Sequence, residues 1–305
     1  MLTAIDLFAG AGGFTTGAEA AGVRVTWAAN HWRSAVDVHA ANHPHASHVC
    51  QDLHQADWSK VPAMDIVLAS PACQGHSRAR GKERAHHDAT RATAWAVVSC
   101  VEMHQPRAFV VENVPEFLGW QLFPAWDAAM KALGYRMTHD VLDAADFGVP
   151  QNRRRMFLVG TREADFELPT GEAAHVGADT VIDWPSGSWS PVHKPGRSAA
   201  TLARWEAGRA SCGDRFVMPY YGSGSGLTGR ELDRPLGTVT TRDRWALVDG
   251  DRMRMLTPDE YRGFMGFPDS YQLPSVRKTA IHLLGNAVCP PVATAIVAKL
   301  ARAVA

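Results

Sequence analysis

The chain has 305 residues, 46% of them hydrophobic and 20% charged, with 31 basic and 31 acidic side chains. That length supplies enough core to offset chain entropy, and that composition excludes wholesale disorder. The balanced charge excludes a polybasic tail while leaving room for a local basic groove, and no unbroken apolar run reaches the roughly 18–20 residues of a membrane helix. The opening MLTAIDLF carries neither a charged segment nor a small-residue cleavage site, so a cytoplasmic protein is expected. Cys50, Cys73, Cys100, Cys212 and Cys289 are scattered and form no C-x-x-C pair. That spacing predicts buried free thiols, not a disulfide framework or a zinc site.

In chain order, residues 2–8 read as a short apolar strand. The glycine turn AGAGG and the amphipathic stretch FTTGAEAAG follow it. A strand at 23–29 and a helix from 32 to 42 come next. Further strands are predicted at 65–69, 108–111, 137–142 and 156–160, with helices over 89–104 and 116–133 among them. Alternation of this kind predicts an α/β domain with a mostly parallel sheet and a ligand site at the carboxyl ends of its strands. Composition shifts after residue 162. Residues 163–183 hold six acidic side chains and no Lys or Arg, which reads as a solvated connector. Residues 190–248 hold nine basic and five acidic side chains, the run YYGSGSGLTG and no clear helical period, predicting a smaller irregular or β-rich domain. A last helix should begin near Pro290–Pro291 and pack on the first domain.

Four motifs carry chemistry. Asp6-Leu7-Phe8-Ala9-Gly10-Ala11-Gly12-Gly13 joins a strand to a helix, where glycines let a backbone approach a ligand and a helix start offers free N–H groups. Its spacing departs from the dinucleotide pattern G-x-G-x-x-G, which weighs against a nicotinamide oxidoreductase. Ser70-Pro71-Ala72-Cys73-Gln74-Gly75-His76-Ser77 follows the 65–69 strand, and Arg78, Arg80, Lys82, Arg84 and Arg91 come after it. Cations near a thiol lower its pKa and favour the thiolate; an ordinary cysteine in a solvated loop reads equally well from these residues alone. Val110-Val111-Glu112-Asn113-Val114 ends a strand on a carboxylate that an apolar setting would help to donate a proton. Gln151-Asn152-Arg153-Arg154-Arg155 precedes another strand, and alternation places Arg153 and Arg155 on one face, suited to phosphate or carbonyl recognition.

Taken in order, these segments resemble the cytosine-C5 DNA methyltransferases from Asp6 to Val292. DLFAGAGG, SPACQGHS, ENV, the Gln151/Arg153/Arg155 pattern, RPLGTVTTR (234–242) and GNAVCPP (285–291) stand in the family's order and spacing. The resemblance implies a class I methyltransferase fold, Rossmann-like with a mostly parallel sheet, and a smaller irregular or β-rich target-recognition domain. The expected division is a catalytic, cofactor-binding domain at 1–162, a connector and target-recognition domain at 163–248, and a segment at 249–305 returning to the catalytic domain. It implies S-adenosylmethionine as cofactor, with S-adenosylhomocysteine as product.

Residue by residue, the resemblance makes Cys73 the nucleophile that adds to cytosine C6. Glu112 becomes the group on N3, Arg155 the contact to O2, Arg153 a second supporting arginine and Asn113 a brace. Phe8, Gly10, Gly12, Gly13, His31, Trp32, Asp52, Pro71 and Asn286 fall on the cofactor positions. Gln74, Ser77, Arg78, Arg80, Thr240 and Thr241 fall on DNA-binding ones. His31 stands where the family usually has glutamate, Ala72 where it has a second proline, and Leu283 where it often has glutamine. The implied partner is double-stranded DNA, met by a monomer without a membrane, in a bacterial or phage nucleoid setting that admits a cognate restriction endonuclease. Two neighbours share the motifs: a tRNA cytosine-C5 methyltransferase and a catalytically silent DNA-binding homologue. The basic insert at 190–248 favours DNA, and the retained Cys73 and Glu112 favour activity.

Overall fold

The computed structural model describes residues 1–72, 93–220 and 229–305. Contacts divide the chain into two units: 1–144, 154–172 and 287–305 form one, and 145–153 with 173–286 form the other. The sequence boundary at 249 falls inside the second of these, and the stretch that rejoins the first is 287–305.

The first unit is built on a seven-stranded sheet. Its strands are β1 (Thr3–Leu7), β2 (Arg24–Asn30), β3 (Ser47–Cys50), β4 (Ile66–Ala69), β5 (Ala108–Asn113), β6 (Arg136–Asp143) and β7 (Arg154–Thr161), in the order β3-β2-β1-β4-β5-β7-β6. The first five pair in parallel, whereas β7 runs antiparallel to both β5 and β6. All four residues of β4 and all six of β5 are buried, as central strands covered on both faces require. Ile5, Leu7, Val67, Ala69, Phe109 and Val111 pack with Val97, Cys100, Val101 and Met130 from helices α3 (Thr93–His104) and α4 (Phe123–Ala132). Burial pushes the Cys100 thiol up to about 12, so it stays a small hydrophobe. Cys50, by contrast, is exposed and Cys212 half-buried, so the expected burial does not extend to them.

Helices α1 (Gly13–Ala20), α2 (Arg33–Asn42) and α8 (Pro290–Val304) complete this unit. A Cβ on Gly13 would lie 2.0 Å from the Val288 carbonyl oxygen, and one on Gly17 would lie 2.5 Å from the Ala293 Cβ. These two glycines let α1 and the start of α8 touch backbone to backbone. The stretch Arg277–Val304 is long and apolar enough by composition to cross a membrane, but 72% of its most apolar window is buried, and residues 287–289 interrupt it.

The second unit carries a four-stranded antiparallel sheet, ordered β8-β11-β10-β9, from β8 (Ser190–Pro191), β9 (Arg215–Pro219), β10 (Trp245–Asp249) and β11 (Arg252–Met255). Its core is Val192, Trp205, Phe216, Met218, Ala246, Val248 and Met253. Helix α5 (Ala199–Cys212) packs on this sheet and was not expected from the sequence. Ser198 caps its start by accepting from the Thr201 N–H, and Gly213, at φ 78°, ends it. Its buried positions Thr201, Arg204, Trp205 and Gly208 have helical spacing, but three of the four are not hydrophobic, so hydropathy hides them. Helices α6 (Pro258–Phe264) and α7 (Arg277–Asn286) follow.

Candidate active site

In the first unit the chain runs outward from β1 through β2 to β3, then returns to β4 on the other side of β1. That reversal leaves a crevice at the carboxyl ends of β1 and β4, where open α/β sheets bind ligands. The turn after β1 is shaped for it. Gly10 and Gly12 adopt φ of 54° and 77°, and Phe8, which is no glycine, adopts 61°. A bulky residue in the left-handed region is strained, and here it is pinned: Ser70, at the end of β4, donates its N–H to the Leu7 carbonyl and its hydroxyl to the Phe8 carbonyl.

The expected cofactor residues line up along this strand-end edge. Leu7 pairs with Ala29 and Asn30 with Cys50, which brings Phe8–Gly13, His31–Trp32 and Asp52 onto neighbouring ends. Asn30 accepts the Trp32 N–H through its side chain at 2.9 Å and so fixes the aromatic residue at the start of α2. Asp52 caps the short turn at 53–55 and is exposed, as is His31; Pro71 is buried. A turn whose glycines hold open backbone, flanked by an aromatic ring and an exposed carboxylate, fits an adenosine-bearing methyl donor. Asn286 ends α7 in the second unit and is exposed there.

Further along the same edge, Glu112 is the next-to-last residue of β5 and Arg155 the second of β7. The Arg155 guanidinium Nε lies 3.1 Å from the Glu112 Oε1, and the two side chains are 18% and 8% exposed. A second guanidinium nitrogen of Arg155 donates to the Arg154 carbonyl. Beside them, buried Asn113 donates through Nδ2 to the Pro71 carbonyl at 3.0 Å and accepts the Val114 N–H, so it ties β5 to the segment entering SPACQGHS. Cys73, Gln74, Ser77, Arg78 and Arg80 lie outside the described residues.

Arg153 and Arg155 face different partners. Strand β7 begins at Arg154, and Arg153 belongs to the second unit. There its two terminal nitrogens donate to the Val239 and Gly285 carbonyls at 2.9 Å each, with 2% of the residue exposed. Buried Gln151 donates to the Phe264 carbonyl and accepts the Val239 N–H, and Thr238 donates to the Asn152 carbonyl. The 151–153 segment therefore holds residues 238–239 in place, just before Thr240 and Thr241.

Sequence reasoning also missed a polar network under the glycine turn. Asp6 is fully buried; its Oδ2 accepts the Thr15 hydroxyl at 2.8 Å, while its Oδ1 is buried without a partner. The Thr15 oxygen lies 3.0 Å from His39 Nε2, and His39 Nδ1 lies 2.8 Å from His48 Nε2. Burial pushes the Asp6 carboxyl up to about 7 against the hydrogen bonds from Thr15. Burial, reinforced by His43, His48 and His45, holds His39 well below the usual histidine range. The DLF pattern and four histidines within 39–48 were the available signal, but nothing in their spacing said that they meet.

A parallel sheet with an antiparallel hairpin at one edge and a glycine turn at its reversal point define a class I methyltransferase fold. The chain belongs to the C-5 cytosine-specific DNA methylase family, whose model matches residues 2–182 and 209–302, and it is a DNA cytosine-5 methyltransferase. It is 32% identical over 316 aligned positions to the type II methyltransferase M.NlaX of Neisseria lactamica, covering 98% of this chain and 96% of that one. It is 27% identical to the type II methyltransferase M.BsuFI of Bacillus subtilis, covering 97% of this chain and 71% of the relative. Among solved structures it is similar to the Schizosaccharomyces pombe Dnmt2 methyltransferase, with TM-score 0.73, 16% identity and 99% of each chain covered. The Entamoeba histolytica methyltransferase EhMeth aligns with TM-score 0.70 and 16% identity over 99% of this chain and 97% of that one. At these identities the structures bear on the fold alone.

Proposed function

We propose that the protein transfers the methyl group of S-adenosylmethionine to C5 of a cytosine in duplex DNA, flipped from the helix, through a transient bond to Cys73. Extruding the base costs about a few kcal/mol and is required because the reacting carbons are stacked inside a duplex. The Cys73 thiolate adds to C6 while Glu112 supplies a proton to N3 and Arg155 donates to O2. The electron pair of the C5–C6 bond thereby becomes available at C5. S-adenosylmethionine supplies an electrophilic methyl on a sulfonium, which C5 takes up. Loss of the C5 proton then expels the thiolate and leaves 5-methylcytosine.

The observation that carries this reading is the Glu112–Arg155 pair at 3.1 Å. It places an acid and a fork of donors together at the edge that Asn113 ties to the SPACQGHS segment. Phe8, Gly10, Gly12, Gly13, His31, Trp32, Asp52 and Pro71 are assigned to the cofactor on the strand-end edge, and Asn286 on its motif. The second unit, whose sheet and basic stretch overlap residues 190–248, is assigned to target recognition. Thr240 and Thr241 are placed on the DNA, as are Gln74, Ser77, Arg78 and Arg80 in the loop after Cys73. The relatives named as type II methyltransferases support a restriction-modification setting; a monomeric enzyme with a cognate endonuclease as partner completes the reading.

The test is a denaturation-stable adduct on duplex DNA carrying 5-fluorocytosine in the presence of S-adenosylmethionine, with bisulfite sequencing of DNA from expressing cells. The intact chain should form the adduct and methylate. Cys73→Ser should do neither while still binding cofactor. Near-normal turnover by the serine variant would overturn the covalent mechanism, and transfer to tRNA alone would overturn the choice of DNA.

A further inference from the structure

Most of the positive charge in the second unit is consumed locally. Arg209 pairs with Asp214 and Asp251, Arg215 and Arg252 share Asp249, Arg234 pairs with Glu231, and Arg254 with Glu260. Arg197, Arg204 and Arg230 donate to carbonyls and to hydroxyl or amide oxygens of the protein. Among the arginines of the second unit, Arg242 and Arg244 stand apart. Among the described residues neither side chain has an ion-pair or hydrogen-bond partner, and the Arg244 Nε is buried without one. The carboxylate between them is taken: Asp243 accepts the Tyr261 hydroxyl at 2.9 Å and two guanidinium nitrogens of Arg277 at 2.5 and 3.1 Å.

The turn that bears them is held at both ends. Gln151 and Arg153 fix Val239 on one side, and Asp243 on Tyr261 and Arg277 fixes the other. Between these points the backbone lies flat against α7. A Cβ on Gly285 would come within 2.3 Å of the Thr240 carbonyl carbon and 2.4 Å of the Thr241 nitrogen. Thr240 closes the turn through its hydroxyl on the Arg242 carbonyl at 3.0 Å. A fixed backbone thus carries two guanidiniums from which the adjacent carboxylate has been turned away.

We propose that Arg242 and Arg244 contact phosphates of the DNA backbone and set the register in which the second unit meets the duplex. Guanidinium forks match phosphate oxygens, and a turn already fixed loses little entropy on binding. The assignment rests on the reading of this protein as a duplex-DNA enzyme. It adds two backbone contacts to the threonines that the sequence pointed to.

The test uses the full chain, a mixed-sequence DNA duplex and fluorescence anisotropy across a series of salt concentrations. Arg242→Gln and Arg244→Gln should each reduce the slope of log K against log salt by about one, with unchanged thermal unfolding. Arg242→Lys should retain the wild-type slope, because counterion release follows charge. Arg215→Gln, whose parent residue is already paired, should leave it unchanged. Methyl transfer by the two glutamine variants should show a raised KM for DNA and an unchanged kcat. Wild-type slopes in both glutamine variants would overturn this inference while leaving the DNA reading intact. Failure of the wild-type chain to bind duplex DNA would overturn both.

Discussion

Asp6 is a carboxyl buried completely beneath the turn that opens α1, and its protonation should write itself into the pH dependence of stability. The perturbation is Asp6→Asn, which keeps the shape and an acceptor for the Thr15 hydroxyl. Burial raises the folded pKa from 3.8 to about 7, a shift of roughly 3 units. At about 1.4 kcal/mol per unit this amounts to about 4 kcal/mol. The sign follows from which state releases its proton first. Between pH 3.8 and 7 the unfolded chain is ionised while the folded one still holds the proton. Stability attributable to Asp6 is therefore full below the lower value, falls as pH rises and levels off above the upper one.

His39 and His48 act in the opposite sense. Burial lowers both below 6.5, so the unfolded chain binds protons first as pH falls, and stability declines toward acid. The wild-type profile is thus a sum of opposed slopes, and only the difference from Asp6→Asn isolates the carboxyl. Urea unfolding of both proteins from about pH 5 to 8 should show the variant gaining on wild type as pH rises, with a slope approaching 1.4 kcal/mol per pH unit before it flattens. The unsatisfied amide N–H that Asn introduces costs about 1–3 kcal/mol, but that offset is independent of pH. A difference that stays level across the range would refute the reasoning.

Two further outcomes follow from the site. Arg155→Lys keeps the charge beside Glu112 but loses the planar fork, so kcat for methyl transfer should fall by about 10²-fold with cofactor affinity unchanged; a rate within a few-fold of wild type would remove Arg155 from the reacting centre. Gly13→Ala pushes a methyl against the Val288 carbonyl oxygen, which stands 2.0 Å from where the Cβ would be. It should cost about 1–3 kcal/mol in urea unfolding and weaken S-adenosylmethionine binding by calorimetry, whereas wild-type values for both would mean that α8 yields freely.

The strands were legible wherever they are buried on both faces. IVLA and the AFVV that opens β5 are continuous apolar runs that only a covered central strand explains, and the alternation with helices then dictated a parallel sheet. Edge elements were not. Residues 47–50 make a four-residue edge strand, SHVC, with no buried position and too little hydrophobicity to register. The helix expected over 116–133 is a short 3-10 turn at Pro115–Gly119 followed by α4, because the chain re-enters a helix at Phe123–Pro124, with proline in the first turn. Its aromatics Phe117, Trp120, Phe123 and Trp126 pack against one another, Phe117 edge-on or tilted to the other three and Phe123 stacked on Trp126, which carried the apolar signal straight across the break.

The site divides along a similar line. The positions of candidate residues at strand ends on one sheet edge, such as Glu112, Asn113 and the glycine turn, were readable because the fold fixes where strand ends go. Arg153 was not readable, since alternation along a strand says nothing about a residue just before the strand begins. Its neighbour at 155 turns to a carboxylate, while Arg153 turns to the carbonyls of Val239 and Gly285, residues 86 and 132 positions away. Gly285 shows the same dependence: in GNAV it reads as a flexible residue before a helix, yet it is required because Thr240 and Thr241 lie where a side chain would go. Long-range carbonyl acceptors leave no mark on hydropathy or spacing. Arg153, Gln151 and Asp6 are therefore buried polar groups whose partners only the folded chain reveals.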